Sequence, residues 1–412
     1  MTQHAQTIGA RLPLDPGPDL TDPPGPKPST ARLVGIDLAR GCAVFGMYAA
    51  HVGPDPAAGG PLGFVMELAR GRSSALFAVL AGFSLVIITG RPRPRTGRAG
   101  RQAVAKIVVR SAVLIVLGFA LTALDTDIDV VLAFYGLAFL FILPLYRLSA
   151  TRLAVIAAAL ALLMPQLLYV IRQSIESGSW ADAVVAGDPL ARISDTDGIV
   201  ELLFTGEYPV LTWMPFMIAG MAVARLDLRD ARIRTRLALA GGALCVLGYG
   251  GSWLTLRLVP SALDSIAAAT DSRSVASAWW SDMVGDLPDR APAAWLLIAA
   301  PHSQTTFSIL GNTGVALVVV AVCLMITNRM PRLARLTAPV SAVGTVALTA
   351  YVLHILAIRV VGMQDGTGPS LLSLFVFIAA AALLATLWTR YFRRGPLEHL
   401  LAHATGLSRY VK

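Results

Sequence analysis

Apolar stretches long enough to cross a bilayer recur along nearly the whole 412-residue chain, and they constrain the fold more than any other feature. One membrane-spanning helix needs about 20 predominantly apolar residues. Hydrophobic residues make up 55% of the chain and charged residues only 14%, against about 25% charged residues in soluble domains. The sequence therefore predicts an all-α, polytopic membrane helix bundle. Ten spans are predicted, at residues 33–52, 71–89, 103–124, 128–146, 151–171, 208–226, 235–257, 307–328, 338–359 and 370–391.

The charges of the connecting loops support this count. Basic and non-basic connections alternate along the chain, beginning with the arginine-rich loop 90–106 and the acidic loop 125–129. Lys and Arg accumulate in cytoplasmic loops, so we expect both termini in the cytoplasm and the protein in the plasma membrane. The net charge of +9 then reflects topology, and no nucleic-acid partner is expected.

Three segments differ in composition. Residues 1–30 are rich in Pro, Gly, Asp and Thr and are predicted to be a disordered cytoplasmic tail without a cleavable signal peptide. Residues 31–395 form the predicted transmembrane domain, and residues 396–412 a cytoplasmic amphipathic tail. The long loops 172–207 and 258–306 are expected to cover an opening on the outer face, with the apolar patch 293–300 along the membrane interface. The three cysteines are expected to be buried packing residues, and no metal site is predicted.

The first span carries three polar side chains, Asp37, Arg40 and His51. Each costs about 2.5 to 3.5 kcal/mol within a bilayer on insertion scales. At about 100° and 1.5 Å per residue, Arg40 and His51 share a face about 16 Å apart, and Asp37 lies where it can pair with Arg40. This stripe suggests a buried functional channel. The alternative is that Asp37 and Arg40 anchor the inner end of the helix while His51 rests at the outer interface.

Two further polar residues lie inside predicted spans. His354 occupies nearly the same outer depth as His51, although a histidine at a helix end is often only a hydrogen-bonded interface residue. Arg110 lies about a third of the way into the third span, where an unpaired charge is costly. It is a candidate phosphate ligand because its planar fork suits phosphate, and a structural pairing with Asp37 is equally possible.

The outer ends of other spans supply candidate substrate-binding residues. Arg72 begins the second span and is a candidate for holding an anionic or hydroxylated substrate, or for pairing with Glu67. His302 lies just outside the eighth span, and Asn312 follows one to two turns deeper. Both are candidates for lining an outer vestibule.

Several motifs resemble those of membrane acyltransferases. Arg40, ten residues and then His51 resemble the arginine–histidine motif of acyltransferase family 3. Residues 76–83 (LFAVLAGF) and 349–354 (TAYVLH) are similar to two further segments of that family, with Ala81 in place of a serine.

Residues 35–41 (GIDLARG) resemble the heparan-alpha-glucosaminide N-acetyltransferase-like proteins more closely. Residues 206–213, 347–351 and 394–398 are similar to their bacterial branch of domain of unknown function 418, which is YeiB-like. The similarity extends from residue 32 to about residue 400.

The resemblance implies a bundle of ten to eleven helices that transfers an acyl group from cytoplasmic acetyl-CoA to an acceptor on the far side. The acceptor is a hydroxyl or amine of a sugar or another envelope molecule. Arg40 would help to bind the coenzyme, His51 would be catalytic, and His354 would occupy a second motif position.

The residues themselves are consistent with this mechanism. Arg110 and the basic loop could receive the phosphates, and His51 could act as general base. His354 or Arg72 could orient the acceptor or stabilise the oxyanion. The main alternative is a transporter or flippase of a small solute, and a third is a non-catalytic membrane protein whose polar residues fix helix packing. Oligomeric state is not indicated.

Overall fold

The structure is a computed structural model that describes residues 33–411 apart from 127, 195, 271–273, 286, 289 and 363–368. The tail predicted at residues 1–30 lies outside the described residues. Residues 34–411 belong to one compact unit. Across the described residues this unit contains helices and no strands, so the predicted all-α class is confirmed.

The described residues form eighteen α-helices. Those of the first half are α1 Val34–Val52, α2 Gly60–Ala69, α3 Arg72–Thr89, α4 Gly97–Thr122, α5 Val131–Ile142, α6 Ala150–Ser177, α7 Trp180–Gly187, α8 Pro189–Ser194 and α9 Val210–Ala224. Those of the second half are α10 Ala231–Cys245, α11 Gly251–Leu258, α12 Ala262–Thr270, α13 Thr306–Arg329, α14 Pro331–Leu336, α15 Ala338–Thr345, α16 Ala347–Val361, α17 Leu371–Tyr391 and α18 Pro396–Ala404.

Within the described residues, six helical segments are long and apolar enough to cross a membrane, or seven if one bent pair counts as a span. The chain is therefore a multi-pass membrane protein. Every predicted span coincides with helix, but the count of ten is not confirmed. α1 with its polar residues is not among the six, and the regions of α5 and α9 are shorter apolar helices. The six segments are Gly60–Thr89, Gly97–Thr122, Ala150–Ser177, Ala231–Leu258, Thr306–Arg329 and Leu371–Tyr391.

The bent pair positions one part of the site. α15 and α16 meet at Val346 with a bend of 88°. α15 packs against the inner half of α1, where Gly41 faces the carbonyl of Val340 and Gly344 faces the carbonyl of Asp37. A Cβ at either glycine would collide with that backbone. Small residues allow such close helix packing in membranes, and the bend then directs α16 along the outer half of α1.

One expectation about the cysteines is wrong, and the interfacial location of the apolar patch 293–300 stays a prediction. Trp295, Ile298 and Ala300 of this patch are buried in an apolar core formed mainly by the loop 258–306. The cysteines are all free, and only Cys323 is buried. Cys42 is exposed, so it is not the buried packing residue that its apolar surroundings suggested.

Candidate functional site

His51 and His354 lie side by side near the outer end of α1. Nδ1 of His51 is 3.0 Å from Nε2 of His354, and the rings stack at 5.2 Å with an interplanar angle of 9°. Tyr48 and Tyr351 pack against the ring of His354, which is buried. The Tyr48 hydroxyl also donates to the carbonyl of Ala350 over 2.9 Å. The two histidines predicted at one depth are therefore in contact, and α1 is fastened to α16 at this point.

The contacts of His354 determine the hydrogen positions of both neutral rings. Its Nδ1 lies against the carbonyl oxygen of Tyr351. A carbonyl only accepts, so Nδ1 carries the hydrogen and Nε2 becomes an acceptor. Nδ1–H of His51 then donates to this Nε2. This assignment leaves Nε2 of His51 with its lone pair available, in the form a general base requires.

A second polar cluster surrounds Arg40 at the inner end of α1. Arg40 NH1 is 3.0 Å from the buried carboxylate of Asp37, as the spacing predicted. Its NH2 donates to the hydroxyl of Ser84 on α3 over 2.8 Å. The Asp37 carboxylate and the Ser84 hydroxyl thus hold the guanidinium in a fixed orientation between α1 and α3.

Arg110 and the C-terminal segment lie close to this cluster. The charges of Arg40 and Glu398 both act on Arg110. The Nε of Arg110 is buried, and no hydrogen-bond partner for it lies among the described residues. Such a buried donor fits an anionic ligand, since leaving it unpaired costs about 1–3 kcal/mol.

Glu398 of α18 caps the start of α16. Its carboxylate accepts from the backbone N–H of Leu348 over 2.8 Å and of Thr349 over 3.2 Å. It also accepts from the Thr349 hydroxyl over 2.6 Å. Carboxylates stabilise helix N-termini through these bonds and through the helix dipole. The C-terminal segment therefore helps to fix the position of α16, which carries His354.

The face of α1 between the two clusters is closed. Val44 and Met47 lie there and are buried, so the channel that the α1 stripe suggested is not present along α1 itself. On α3, by contrast, Phe77, Ala81 and Ser84 are partly accessible although most of that helix is buried.

These three residues of α3 link the two clusters. They follow one another at spacings of four and three, so they share one helix face. Ser84 contacts Arg40 at one end, and the Phe77 ring stacks on Tyr351 at 6.3 Å at the other. This partly accessible face of α3 therefore contacts both clusters.

A cavity of about 530 Å³, called the outer cavity, is lined by residues of both long loops, 172–207 and 258–306. This lining agrees with the expectation that the two loops cover an opening. Its carboxylates are Asp129, Glu176, Asp197, Glu201 and Glu207. Arg172 and His302 also line it, and the charge of His302 acts on His51.

His302 forms an ion pair with Glu207 in this cavity. Burial lowers the pKa of His302, but the Glu207 carboxylate, together with Asp282 and Asp129, outweighs burial and raises this pKa to about 9. The imidazole is therefore cationic at neutral pH. His302 lines the outer cavity, and its role in substrate binding stays a prediction.

Arg72 and Asn312 belong to a different network. Arg72 donates to the carbonyl of Glu67 over 3.0 Å, to the Tyr249 hydroxyl over 3.1 Å and to the carbonyl of Trp280. Tyr249 in turn donates to Asn312 Oδ1 over 2.7 Å. Arg72 bonds to the backbone of Glu67 and not to its carboxylate. These contacts join three segments of the chain, and the substrate-binding role of Arg72 and Asn312 stays a prediction.

Comparisons with known proteins find two family matches. Residues 32–252, more than half of the chain, match the family described as "Heparan-alpha-glucosaminide N-acetyltransferase, catalytic". The chain belongs to this family. Residues 270–408 match "Protein of unknown function (DUF418)", which confirms the resemblance seen in the sequence. A comparison with curated proteins finds no match.

The two matches of this N-acetyltransferase family member divide the site between them. Arg40, Ser84 and His51 lie in the first matched region, and His354 and Glu398 lie in the second. Sequence reasoning gave no role to Ser84 or Glu398. A serine within an apolar span and a glutamate in the 394–398 motif were the available signals.

Proposed function

We propose that this protein is an integral-membrane acyltransferase that moves an acetyl group from acetyl-CoA to a hydroxyl or amine of a sugar or another envelope acceptor. The observation that supports this most is the hydrogen-bonded His51–His354 pair, in which the Tyr351 carbonyl sets both tautomers. The family match supports an acetyl donor in general.

The donor approaches from the side of the arginine-rich loops. Arg40 and Arg110 receive its phosphates, and Asp37 keeps Arg40 in place. Arginine suits this role because its fork of donors matches phosphate oxygens. The arm that carries the acetyl group then lies along Ser84, Ala81 and Phe77 of α3, and its end reaches the histidine pair.

At the pair, Nε2 of His51 accepts the proton of the acceptor hydroxyl or amine. The acceptor oxygen or nitrogen forms a bond to the acetyl carbon, and the carbon–sulfur bond of the thioester breaks. The CoA thiolate leaves and takes up the proton. His354 stabilises the protonated His51 through Nε2 and holds its ring in place, as the orienting residue of a nucleophile–base system does.

The acceptor enters from the outer cavity. Five carboxylates line this cavity, whereas its basic lining residues are Arg172 and His302. The cavity is therefore acidic and favours a neutral or cationic acceptor over an anionic one. His302 lines the cavity and its charge acts on His51, which supports this entry route.

A transporter fits the bundle less well. Secondary transporters often carry paired broken helices at corresponding positions of two repeats. The part of the chain that the structure describes contains one strongly bent pair, α15 and α16. The break between α15 and α16 instead precedes the helix start that Glu398 caps. Glu398 and Arg40 both act on Arg110, so this helix start belongs to the proposed donor site.

The test uses purified full-length protein in liposomes with radiolabelled acetyl-CoA and either glucosamine or glucose as acceptor. The proposal predicts acceptor-dependent release of CoA and labelled acetyl-sugar. Arg110→Gln should weaken acetyl-CoA binding about tenfold, the order expected for one charged hydrogen bond of 1.5–3 kcal/mol.

Arg332→Gln is the matched control, since Arg332 is an exposed arginine of α14. It should leave acetyl-CoA binding unchanged. Uptake of sugar without any dependence on acetyl-CoA would favour transport and contradict the proposal. Absence of acetyl-CoA binding to the wild-type protein would contradict it as well.

A further inference from the structure

A cavity of about 460 Å³ lies apart from the histidine pair, on the side of the arginine-rich loops. It lies between α4, the 3₁₀ turn Leu143–Arg147 and Val411. Arg101 and Arg147 are its charged residues, and valines and an alanine of α4 form most of the rest. This groove is neither the outer cavity nor the Arg40 cluster.

The groove is charged at one end and apolar at the other. Arg101, Val104 and Val108 follow at spacings of three and four and share one face of α4. At about 1.5 Å per residue, Val108 lies about 10 Å along the helix from Arg101. α4 begins at Gly97 in the basic loop, so Arg101 lies at headgroup level and Val108 lies deeper. Val108 is 44% exposed, so this wall is open.

Arg147 is oriented but has unused donors. Its Nε donates to the Tyr146 hydroxyl over 2.8 Å, and its guanidinium lies over that ring at 5.3 Å. Within the described part of the chain, its two terminal nitrogens meet no protein acceptor. A stacked guanidinium with two free N–H groups can bind phosphate in a bidentate manner.

The third side of the groove is held in place by α4 itself. Nε2 of Gln102 donates to the carbonyls of Arg409 and Val411, each over 3.2 Å. The end of the chain therefore forms a fixed rim of the groove.

We propose that this groove is a binding site for an anionic phospholipid. The phosphate lies between Arg101 and Arg147, and one acyl chain lies along Val104 and Val108. Two cations at headgroup level beside an apolar wall complement a lipid that carries a net negative charge. Basic pockets between transmembrane helices on the cytoplasmic side are known to bind such headgroups.

The test measures lipid binding to the purified full-length protein by native mass spectrometry. Phosphatidylglycerol and phosphatidylcholine with identical acyl chains are compared. We expect phosphatidylglycerol to bind at least tenfold more tightly. Replacing Arg101 and Arg147 by Gln should weaken its binding about fivefold for each arginine, which corresponds to about 1 kcal/mol. Val108→Trp should weaken the binding of both lipids, because it fills the apolar part.

The control is the double variant Arg332→Gln and Arg335→Gln, which removes the same charge from exposed positions of α14. It should keep the wild-type preference. Size-exclusion chromatography reports folding, and the single Arg147→Gln variant replaces the double one if that protein aggregates. Equal binding of the two lipids by the wild type would overturn the proposal, as would an equal loss in the control. Displacement of phosphatidylglycerol by millimolar inorganic phosphate or by CoA would assign the groove to a soluble phosphate ligand instead.

Discussion

The Glu398 carboxylate accepts a 2.6 Å hydrogen bond from the Thr349 hydroxyl, although 48 residues separate the two in sequence. The same hydroxyl accepts from the backbone N–H of Leu397 over 3.1 Å. Thr349 lies in the first turn of α16, and His354 follows between one and two turns later. The C-terminal segment therefore contributes directly to the position of the histidine pair.

Replacing Glu398 by Gln should disorder the start of α16. The amide keeps one acceptor oxygen, so at least one of three hydrogen bonds is lost, together with the charge that favours a helix N-terminus. We expect a loss of about 1–2 kcal/mol in stability and a transfer rate at least fivefold lower. Thermal unfolding in detergent and CoA release measure the two effects. His399→Gln, an exposed neighbour, should change neither.

The His302–Glu207 ion pair should make stability depend on pH. Burial lowers the pKa of His302, but Glu207, with smaller contributions from Asp282 and Asp129, raises it from 6.5 to about 9. A raised histidine pKa contributes stability that is complete below pH 6.5 and is lost as pH rises through about 9. The upper limit is about 3.5 kcal/mol, at about 1.4 kcal/mol for each pKa unit.

Thermal unfolding between pH 6 and pH 9.5 tests this ion pair. Asp282 also acts on His302, and burial raises the pKa of this carboxyl to about 6, so Asp282 is about half titrated at pH 6 and adds to the decline only at the acidic end of the tested range. Glu207→Gln should flatten the decline between pH 6.5 and pH 9. A decline of the same size in this variant would show that another group is responsible.

Ala81 should determine whether the acetyl arm can pass along α3. Ala81 lies between Ser84 and Phe77 on the partly accessible face, so Ala81→Phe should block the route and lower kcat for transfer more than tenfold. Ile87→Phe adds similar bulk on another face of α3, where Ile87 is 47% exposed, and should lower kcat less than twofold. Equal rates in the two variants would show that the arm takes another route.

The sequence predicted what depends on the periodicity of single helices. The spacing of Asp37 and Arg40 predicted their ion pair, and the depths of His51 and His354 predicted two histidines at one level. These relations follow from helical rise and from loop charges, both of which can be read from the sequence.

Contacts between distant segments could not be predicted in this way. Next to the bend at Val346, Gly344 packs against the carbonyl of Asp37, and Glu398 caps a helix start that lies 49 positions earlier in the chain. Arg72 resembled a substrate ligand because it begins a span, yet its donors bind backbone carbonyls of two other segments. The periodicity of a helix indicates which helix face a residue occupies. It does not indicate which other segment of the chain packs against that face.

The most direct test of the account is kcat for acetyl transfer by His51→Gln at saturating acetyl-CoA. Removing a general base typically costs 10²- to 10⁴-fold in rate, and Arg40 and Arg110 remain to bind the donor. We therefore predict that kcat falls at least 100-fold while the Kd for acetyl-CoA changes less than threefold. A kcat within threefold of the wild-type value would contradict the assignment of His51 as the base.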